Sequence, residues 1–150
     1  MNTFSKRAST AASLYMTYLT LVVGVVFVTS FFMNINVPSC SPVIYSVNKS
    51  NLVFSPNINL EPTINYNVKE LYMYLVQRVE SNGEVDEKTI WSTLVKKNGQ
   101  TKLFSRVVGS TDDPKRPLLS STFVLKGSYF PYIGLIKHRT FATFKGEMPQ

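Results

Sequence analysis

Side chains that commonly carry chemistry are scarce in this 150-residue chain, which has one cysteine, one histidine and one tryptophan. A single Cys40 excludes an internal disulfide, so a folded domain must rest on its own core or on partners. One cysteine and one histidine do not supply the ligand cluster that a structural zinc site needs. No glycine-rich phosphate loop is present either. We therefore expect no metal site and no cofactor.

The only histidine, His138, is the one candidate for a general base. It lies in the basic run Lys137-His138-Arg139, where a cation on each side disfavours the imidazolium that a general base must pass through. No serine has a recognisable nucleophile context, although a serine–lysine pair stays open because both residue types are plentiful. We predict no catalytic residue, and a small membrane hydrolase or transferase remains a minor alternative.

Charged side chains are absent between Arg7 and Lys49. Within this gap residues 14–33 are almost wholly apolar, and a helix of that length, at about 1.5 Å per residue, matches the thickness of a bilayer's hydrocarbon core. We predict a short cytosolic tail (1–13) followed by a membrane-spanning signal-anchor helix (14–33). A cleaved signal peptide, cut near residues 28–30, is the alternative, but the apolar run continues beyond that point.

The charges that flank this segment predict its orientation. Lys6 and Arg7 precede it, whereas the residues that follow it carry no lysine or arginine before Lys49. The positive-inside rule then places residues 34–150 across the membrane, as a single-pass type II protein. Asn48-Lys49-Ser50 is a glycosylation sequon that is meaningful only on that side. Such triplets also occur by chance, so modification of Asn48 is an open prediction.

Residues 34–150 read as short strands separated by turns, which predicts an all-β, antiparallel β-sandwich. Pro56 interrupts the alternation of the first apolar strand and predicts an edge strand or a bulge there. Ser81-Asn82-Gly83 and Asn98-Gly99 are predicted hairpin turns. Alternation places Leu52, Phe54, Ile58 and Leu60 on one face of their stretch, and it places Phe123, Leu125 and Tyr129 on one face of a later stretch.

The stretch 64–80, INYNVKELYMYLVQRVE, fits either a helix or a strand by its apolar spacing. Its strand-like neighbours and the turn that follows favour a strand. A strand with Leu71 and Leu75 on one face and Tyr72 and Tyr74 on the other is apolar on both sides at its start, so we predict that it is central in its sheet. We expect its second half, which begins at Gln77, to emerge toward solvent.

The same stretch resembles a motif of the third, glycoprotein subunit of the eukaryotic signal peptidase complex. Tyr66 and Glu70 stand where that family usually has Trp and Gln, and Pro131-Tyr132-Ile133-Gly134 resembles its C-terminal Pro-x-x-Gly. Trp91 and Val95 are in register with the segment that follows the motif. The residues that match the motif itself are Asn67, Lys69, Leu71, Tyr72, Tyr74 and Leu75.

This resemblance implies a strand for the stretch and a non-catalytic accessory subunit in the endoplasmic reticulum membrane, which supports removal of signal peptides by a separate protease subunit. The implied partners are that catalytic subunit and the other subunits of the complex, with no nucleic acid and no small-molecule substrate. We expect partner contact at Tyr72, Tyr74, Val76 and Trp91, although core packing is the alternative for these side chains. A lumenal interaction subunit of another complex, of the translocon-associated type, is the alternative function.

Positive charge is concentrated toward the C-terminus. From Lys96 onward ten lysines and arginines stand against three acidic residues, whereas residues 34–95 carry four against six. A basic surface on the far side of a membrane would attract an acidic face of another subunit or the headgroups of the bilayer.

Overall fold

A computed structural model describes residues 3–33, 37–81, 84–112, 117–119 and 121–146. The chain divides into two compact units, residues 1–35 and residues 36–150. The first unit is one helix, α1 (Phe4–Met33). Its apolar part is long enough to cross a membrane, with a mean hydropathy of 2.0.

The helix begins earlier than the sequence pattern indicates. Ten residues of the predicted tail, 4–13, are helical and continue the backbone hydrogen bonding of the apolar segment. The threonine hydroxyls inside the apolar part donate back to backbone carbonyls one turn earlier, Thr17 to Ser13 at 2.9 Å and Thr20 to Met16 at 2.8 Å. These bonds satisfy polar groups that hydrocarbon would leave without a partner.

The second unit is all-β and antiparallel, which confirms the predicted fold class. The strands are β1 (Val43–Val47), β2 (Asn51–Ser55), β3 (Ile58–Asn59), β4 (Val68–Ser81), β5 (Glu84–Lys96), β6 (Lys102–Leu103), β7 (Val107–Ser110), β8 (Thr122–Pro131) and β9 (Lys137–Lys145). One sheet has the order β1-β2-β7, a second has the order β5-β4-β8-β9, and β3 pairs with β6. A short 3₁₀ turn (Glu61–Thr63) precedes β4.

Phe54 on β2 connects the two larger sheets through the core. Its ring lies 5.4 Å from that of Trp91 on β5, edge to face, and 6.4 Å from that of Phe144 on β9. Such contacts add to the free energy gained from burying the rings themselves. The side chains that alternation groups on one face of each of the two stretches are all in this core, and Leu52, Phe54, Ile58 and Leu60 are 0% exposed. The sheets therefore form a sandwich.

The prediction of an edge strand or a bulge at Pro56 is wrong. β2 is hydrogen-bonded on both sides, to β1 and β7, and it simply ends at Ser55. Pro56 and Asn57 form the corner to β3, where Asn57 adopts φ 44°, a conformation that asparagine tolerates better than most residues. The Cys40 thiol donates to the Pro56 carbonyl at 3.4 Å, and burial raises the pKa of this thiol to about 11. Cys40 is therefore a thiol at neutral pH.

The stretch 64–80 forms a strand, as predicted: β4 is central and pairs with β5 on one side and β8 on the other. The expectation that its second half is solvated is wrong at Gln77, which is 1% exposed. Its amide nitrogen donates to the Pro117 carbonyl at 3.2 Å and to the Ser121 hydroxyl at 2.9 Å. Gln77 thus continues the buried face of β4 and uses its polar end to hold the segment that leads into β8.

The two predicted hairpin turns have different outcomes. β4 and β5 pair as far as Ser81 and Glu84, while residues 82 and 83 lie outside the described part of the chain. Asn98-Gly99 does form a tight turn, in which the Gly99 amide donates to the Lys96 carbonyl at 2.9 Å. It does not form a hairpin, because β6 after it pairs with β3 rather than with β5.

Gly127 interrupts the row of large inward-facing side chains on β8, between Leu125 and Tyr129. A methyl group at this position would overlap the ring of Phe141 from β9. The ring covers the glycine and fills the space that a side chain would otherwise take. Gly127 is therefore required by packing rather than by its backbone conformation.

We expect Gly127→Ala to lower the free energy of unfolding by about 1–3 kcal/mol, because the added methyl group must displace the Phe141 ring. Denaturant unfolding of the full chain in detergent measures this loss. Phe141→Leu in the same variant should recover part of it, since the shorter side chain leaves room. Ser92→Ala, at an exposed position on β5, is the control. A Gly127→Ala variant as stable as the control would contradict this account of the packing.

Candidate protein-interaction surface

The four-stranded sheet has one face in the core and one face turned away from it. Leu71, Met73 and Leu75 alternate inward on β4 and are 0% exposed. Side chains directly opposite one another on paired strands lie on the same face. The register therefore collects a second set of residues, which we call the outer face: Tyr72, Tyr74, Val76, Leu94, Val124, Lys126, Ser128 and His138.

The most accessible apolar part of the outer face is built from Tyr72, Tyr74 and Leu94. The two tyrosine rings stack with their centroids 5.4 Å apart and their planes 25° apart. Tyr72 is 36% exposed, and Leu94, which lies opposite it on β5, is 49% exposed. Exposed aromatic rings on a rigid sheet lose little side-chain entropy on binding, which suits them to protein contact.

Val76 belongs to the outer face but offers almost no surface, being 3% exposed. It lies opposite Val124 on β8, which is 4% exposed. The two side chains form an apolar floor beside the tyrosines. Partner contact at Val76 stays a prediction. Because Val76 is almost fully covered, a partner bound to this face would contact mainly Tyr72 and Tyr74.

Charged side chains border this apolar area. Lys126 on β8 forms a salt bridge with Glu87 on β5, and Arg78 on β4 lies 3.8 Å from the same carboxylate. The border therefore carries charges of both signs. The Lys126–Glu87 pair is partly covered, so it is screened less by solvent than an ordinary surface ion pair.

Trp91 lies on the inner side of β5 rather than on the outer face. Its ring is half-buried and packs on the core through Phe54. A break in the regular pairing of β4 with β5, between Leu75 and Val76, leaves Ile90 without a partner on β4 and turns it inward, where it is 6% exposed. Partner contact at Trp91 stays a prediction, which its position in the core does not favour.

Ser128 and His138 form a pair that the sequence analysis missed. They are directly opposite on β8 and β9, and the Ser128 hydroxyl lies 2.8 Å from Nδ1 of His138. Ser128 is only 5% exposed and stands on a flat strand surface. Within the described residues no carboxylate is hydrogen-bonded to His138. The pair is thus a cross-strand hydrogen bond, and only the register of β8 and β9 could have revealed it.

Asn67, the first residue of the family-like motif, holds the loop between β8 and β9. Its side-chain amide donates to the Ile133 carbonyl at 2.7 Å, and its side-chain oxygen accepts from the Ile133 amide at 3.0 Å. Its backbone carbonyl also accepts from the Tyr132 amide at 2.8 Å. The two segments that carry the resemblance, 67–75 and 131–134, are therefore one hydrogen-bonded unit.

The other motif residues divide between core and surface. Leu71 and Leu75 are fully buried, while Lys69 is exposed beside the end of β5. The Asn65 side chain, which the pattern did not single out, accepts from the amides of Asn67 and Val68 at 2.9 and 3.2 Å. This turn sets Asn67 in place at the start of β4.

Asn48 is exposed in the connection between β1 and β2, at the opposite end of the domain from Asn67.

Within the described residues no group of three or more histidine, cysteine, aspartate or glutamate side chains is placed to bind a metal ion.

We expect Asn67→Asp to lower the free energy of unfolding by about 2–4 kcal/mol, because it removes a buried donor and sets a carboxylate oxygen against the Ile133 carbonyl. Hydrogen exchange at the Tyr132 and Ile133 amides should accelerate together with that loss. Asn98→Asp, in the exposed turn after β5, is the matched control and should leave both amides unchanged. Unaltered exchange in Asn67→Asp would refute the role given to this side chain.

Comparison with known families supplies an independent result. The sequence pattern of a family described as signal peptidase subunit matches residues 1–150. No individual curated protein matches the chain. The match spans the helix and the β-domain together, so it covers both the apolar segment and the unit formed by residues 67–75 and 131–134. The chain therefore belongs to the signal peptidase subunit family.

Proposed function

We propose that the chain is a non-catalytic accessory subunit of the endoplasmic reticulum signal peptidase complex, supporting cleavage of signal peptides by a separate protease subunit. The observation that carries this proposal is the family match over residues 1–150, together with the hydrogen-bonded unit of its two family-like segments. A segment held this firmly serves as a scaffold, and a scaffold can position neighbouring surfaces for binding.

The chemistry of the described residues supports an accessory role. Nucleophilic hydrolysis needs an accessible hydroxyl, a base and a group that orients the base. The one serine–histidine pair has a nearly buried hydroxyl, and its histidine carries no hydrogen-bonded carboxylate among the described residues. A protease activity in the complex would then come from another subunit.

The helix supports a single-pass type II arrangement. An apolar helix of 30 residues is about 45 Å long, enough to cross the hydrocarbon core and to extend beyond it. Lys6 and Arg7 lie near its start, and the residues after it are uncharged as far as Lys49. The cytosolic side then holds the N-terminus, and the β-domain lies in the lumen.

The outer face is the surface that we assign to the partner subunit. Tyr72, Tyr74 and Leu94 provide an apolar centre, and the group of Lys126, Arg78 and Glu87 provides a charged border. An apolar centre with a polar rim is the arrangement typical of protein interfaces. Binding here would use sheet surface rather than a pocket.

We expect Tyr72→Ala/Tyr74→Ala to reduce recovery of the catalytic signal peptidase subunit from native membranes by about tenfold or more, because it removes the aromatic centre of the surface. Affinity purification of the tagged full chain followed by quantitative mass spectrometry measures this. Tyr45→Ala is the matched control, since Tyr45 is 44% exposed but lies on the other sheet. Equal recovery with the double variant and the control would show that the partner binds elsewhere.

Two further outcomes separate the proposed function from its alternative. Depletion of the chain should cause uncleaved preproteins to accumulate if it serves signal peptidase. A wild-type purification that repeatedly recovers a different membrane complex and no signal peptidase subunit would overturn the proposal. That result would favour an interaction subunit of the translocon-associated type.

The sequon provides a test of orientation. Asn48 is exposed at the end of the domain away from the start of β4, so a lumenal domain would present it to the glycosylation machinery. We expect one endoglycosidase-sensitive step in electrophoretic mobility that Asn48→Gln abolishes and that Asn51→Gln, outside the sequon, leaves intact. Glycosylation of a sequon engineered into residues 1–5 instead would mean that the orientation is reversed.

A further inference from the structure

The loop between β8 and β9 carries an exposed apolar tip. Leu135 is 75% exposed, the highest value for a large apolar side chain in the described part of the β-domain, while Tyr132 is 62% exposed and Ile136 is 49% exposed. We call these three residues the loop tip. Large apolar side chains grouped at the end of a turn are unusual on a free aqueous surface and indicate a contact.

This loop is held in a fixed conformation. Asn67 binds the Ile133 amide and carbonyl, and the Tyr132 amide donates to the Asn67 carbonyl. Gly134 follows with φ 119°, a conformation that favours glycine, so a side chain there would be strained. The hydrogen bonds of Asn67 and the backbone conformation of Gly134 therefore hold the loop tip in its exposed position.

Basic residues predominate around the loop tip. The described lysines and arginines at this end of the domain are Lys69, Lys96, Lys97, Lys102, Lys137 and Arg139. The described acidic residues there are Glu61, which pairs with Lys102 at 3.3 Å, and Glu70. Toward the opposite end the charges are mixed, with Glu80, Asp86, Glu87 and Asp112 lying among Lys49, Arg78, Lys88 and Lys145. An apolar tip within a basic surround matches an anionic lipid surface.

The loop tip lies at the same end of the domain as Cys40, near the point where the described part of the β-domain begins. Cys40 forms a β-bridge with Ile58, and the Leu60 amide donates to the Thr101 carbonyl. The Lys97 ammonium donates to the Tyr66 carbonyl at 3.0 Å, next to Asn67, which holds the loop. This series of contacts runs across one end of the domain, where β4 begins and where β5 and β8 end.

We propose that the loop tip inserts into the headgroup region of an anionic bilayer, with the surrounding lysines and arginines against the lipid phosphates. Because α1 and the β-domain belong to one chain, a membrane-spanning α1 gives the domain a high effective concentration at the bilayer, so even a weak insertion is favoured. Three side chains on one turn are too narrow for a standard protein interface, which buries about 800 Å² on each partner. The proposal requires that α1 spans the membrane but not that the chain acts in the signal peptidase complex.

The test uses the full chain in lipid nanodiscs, with Cys40→Ser and a single environment-sensitive fluorophore. The probe is attached at Leu135→Cys or, as the matched control, at Leu119→Cys, which is 50% exposed at the opposite end of the domain. Spin-labelled lipids quench a probe that reaches the headgroup region. We expect quenching at least about threefold stronger at position 135 than at position 119, and weaker in phosphatidylcholine alone than with phosphatidylserine added.

A charge variant adds an independent readout. Lys69→Gln/Lys137→Gln should reduce the quenching at position 135, whereas Lys88→Gln/Lys145→Gln, on strands at other points of the domain, should not. Equal quenching at positions 135 and 119, or quenching that phosphatidylserine does not change, overturns the proposal. A probe at position 135 that stays unquenched and becomes protected only when other subunits are added also overturns it, and assigns the loop tip to a protein.

Discussion

The constraint on which the structure depends is the central position of β4. Of its 14 residues, Glu70–Ser81 pair with β5 along one edge and Val68–Arg78 pair with β8 along the other. Leu71, Met73 and Leu75 bury one face completely, and Tyr72 and Tyr74 lie on the other. A helix would instead gather Leu71, Tyr72 and Leu75 on one face. The extended conformation divides them between two faces.

That position fixes the register of every neighbouring strand. A slip of one residue along β4 would move the leucines to the outer face and the tyrosines into the core, so the alternation itself specifies the pairing. The same register sets Ser128 beside His138 and Lys126 within reach of Glu87. The composition of the outer face is therefore a consequence of how the core is filled.

Local patterns predicted the fold well because apolar alternation reports burial directly. The alternating residues Leu52, Phe54, Ile58 and Leu60 are fully buried. β4 is the central strand that its two apolar faces indicate. The failures depend on contacts distant in sequence. Gln77 is buried because residues forty or more positions later accept its amide hydrogens, and Asn98-Gly99 leads to β6, whose partner β3 is far earlier in the chain. Neither relation is visible in a local window.

The start of β4 also couples the two surfaces for which we propose contacts. Asn67 holds the loop that carries Tyr132 and Leu135, and the same strand presents Tyr72 a few residues later. Damage to the start of the strand would disturb both surfaces at once, because the sheet transmits changes in register along its length. Substitutions of Asn67, whose hydrogen bonds hold the loop, cannot therefore distinguish membrane contact from subunit contact. Only changes to exposed side chains, which leave these hydrogen bonds intact, separate the two.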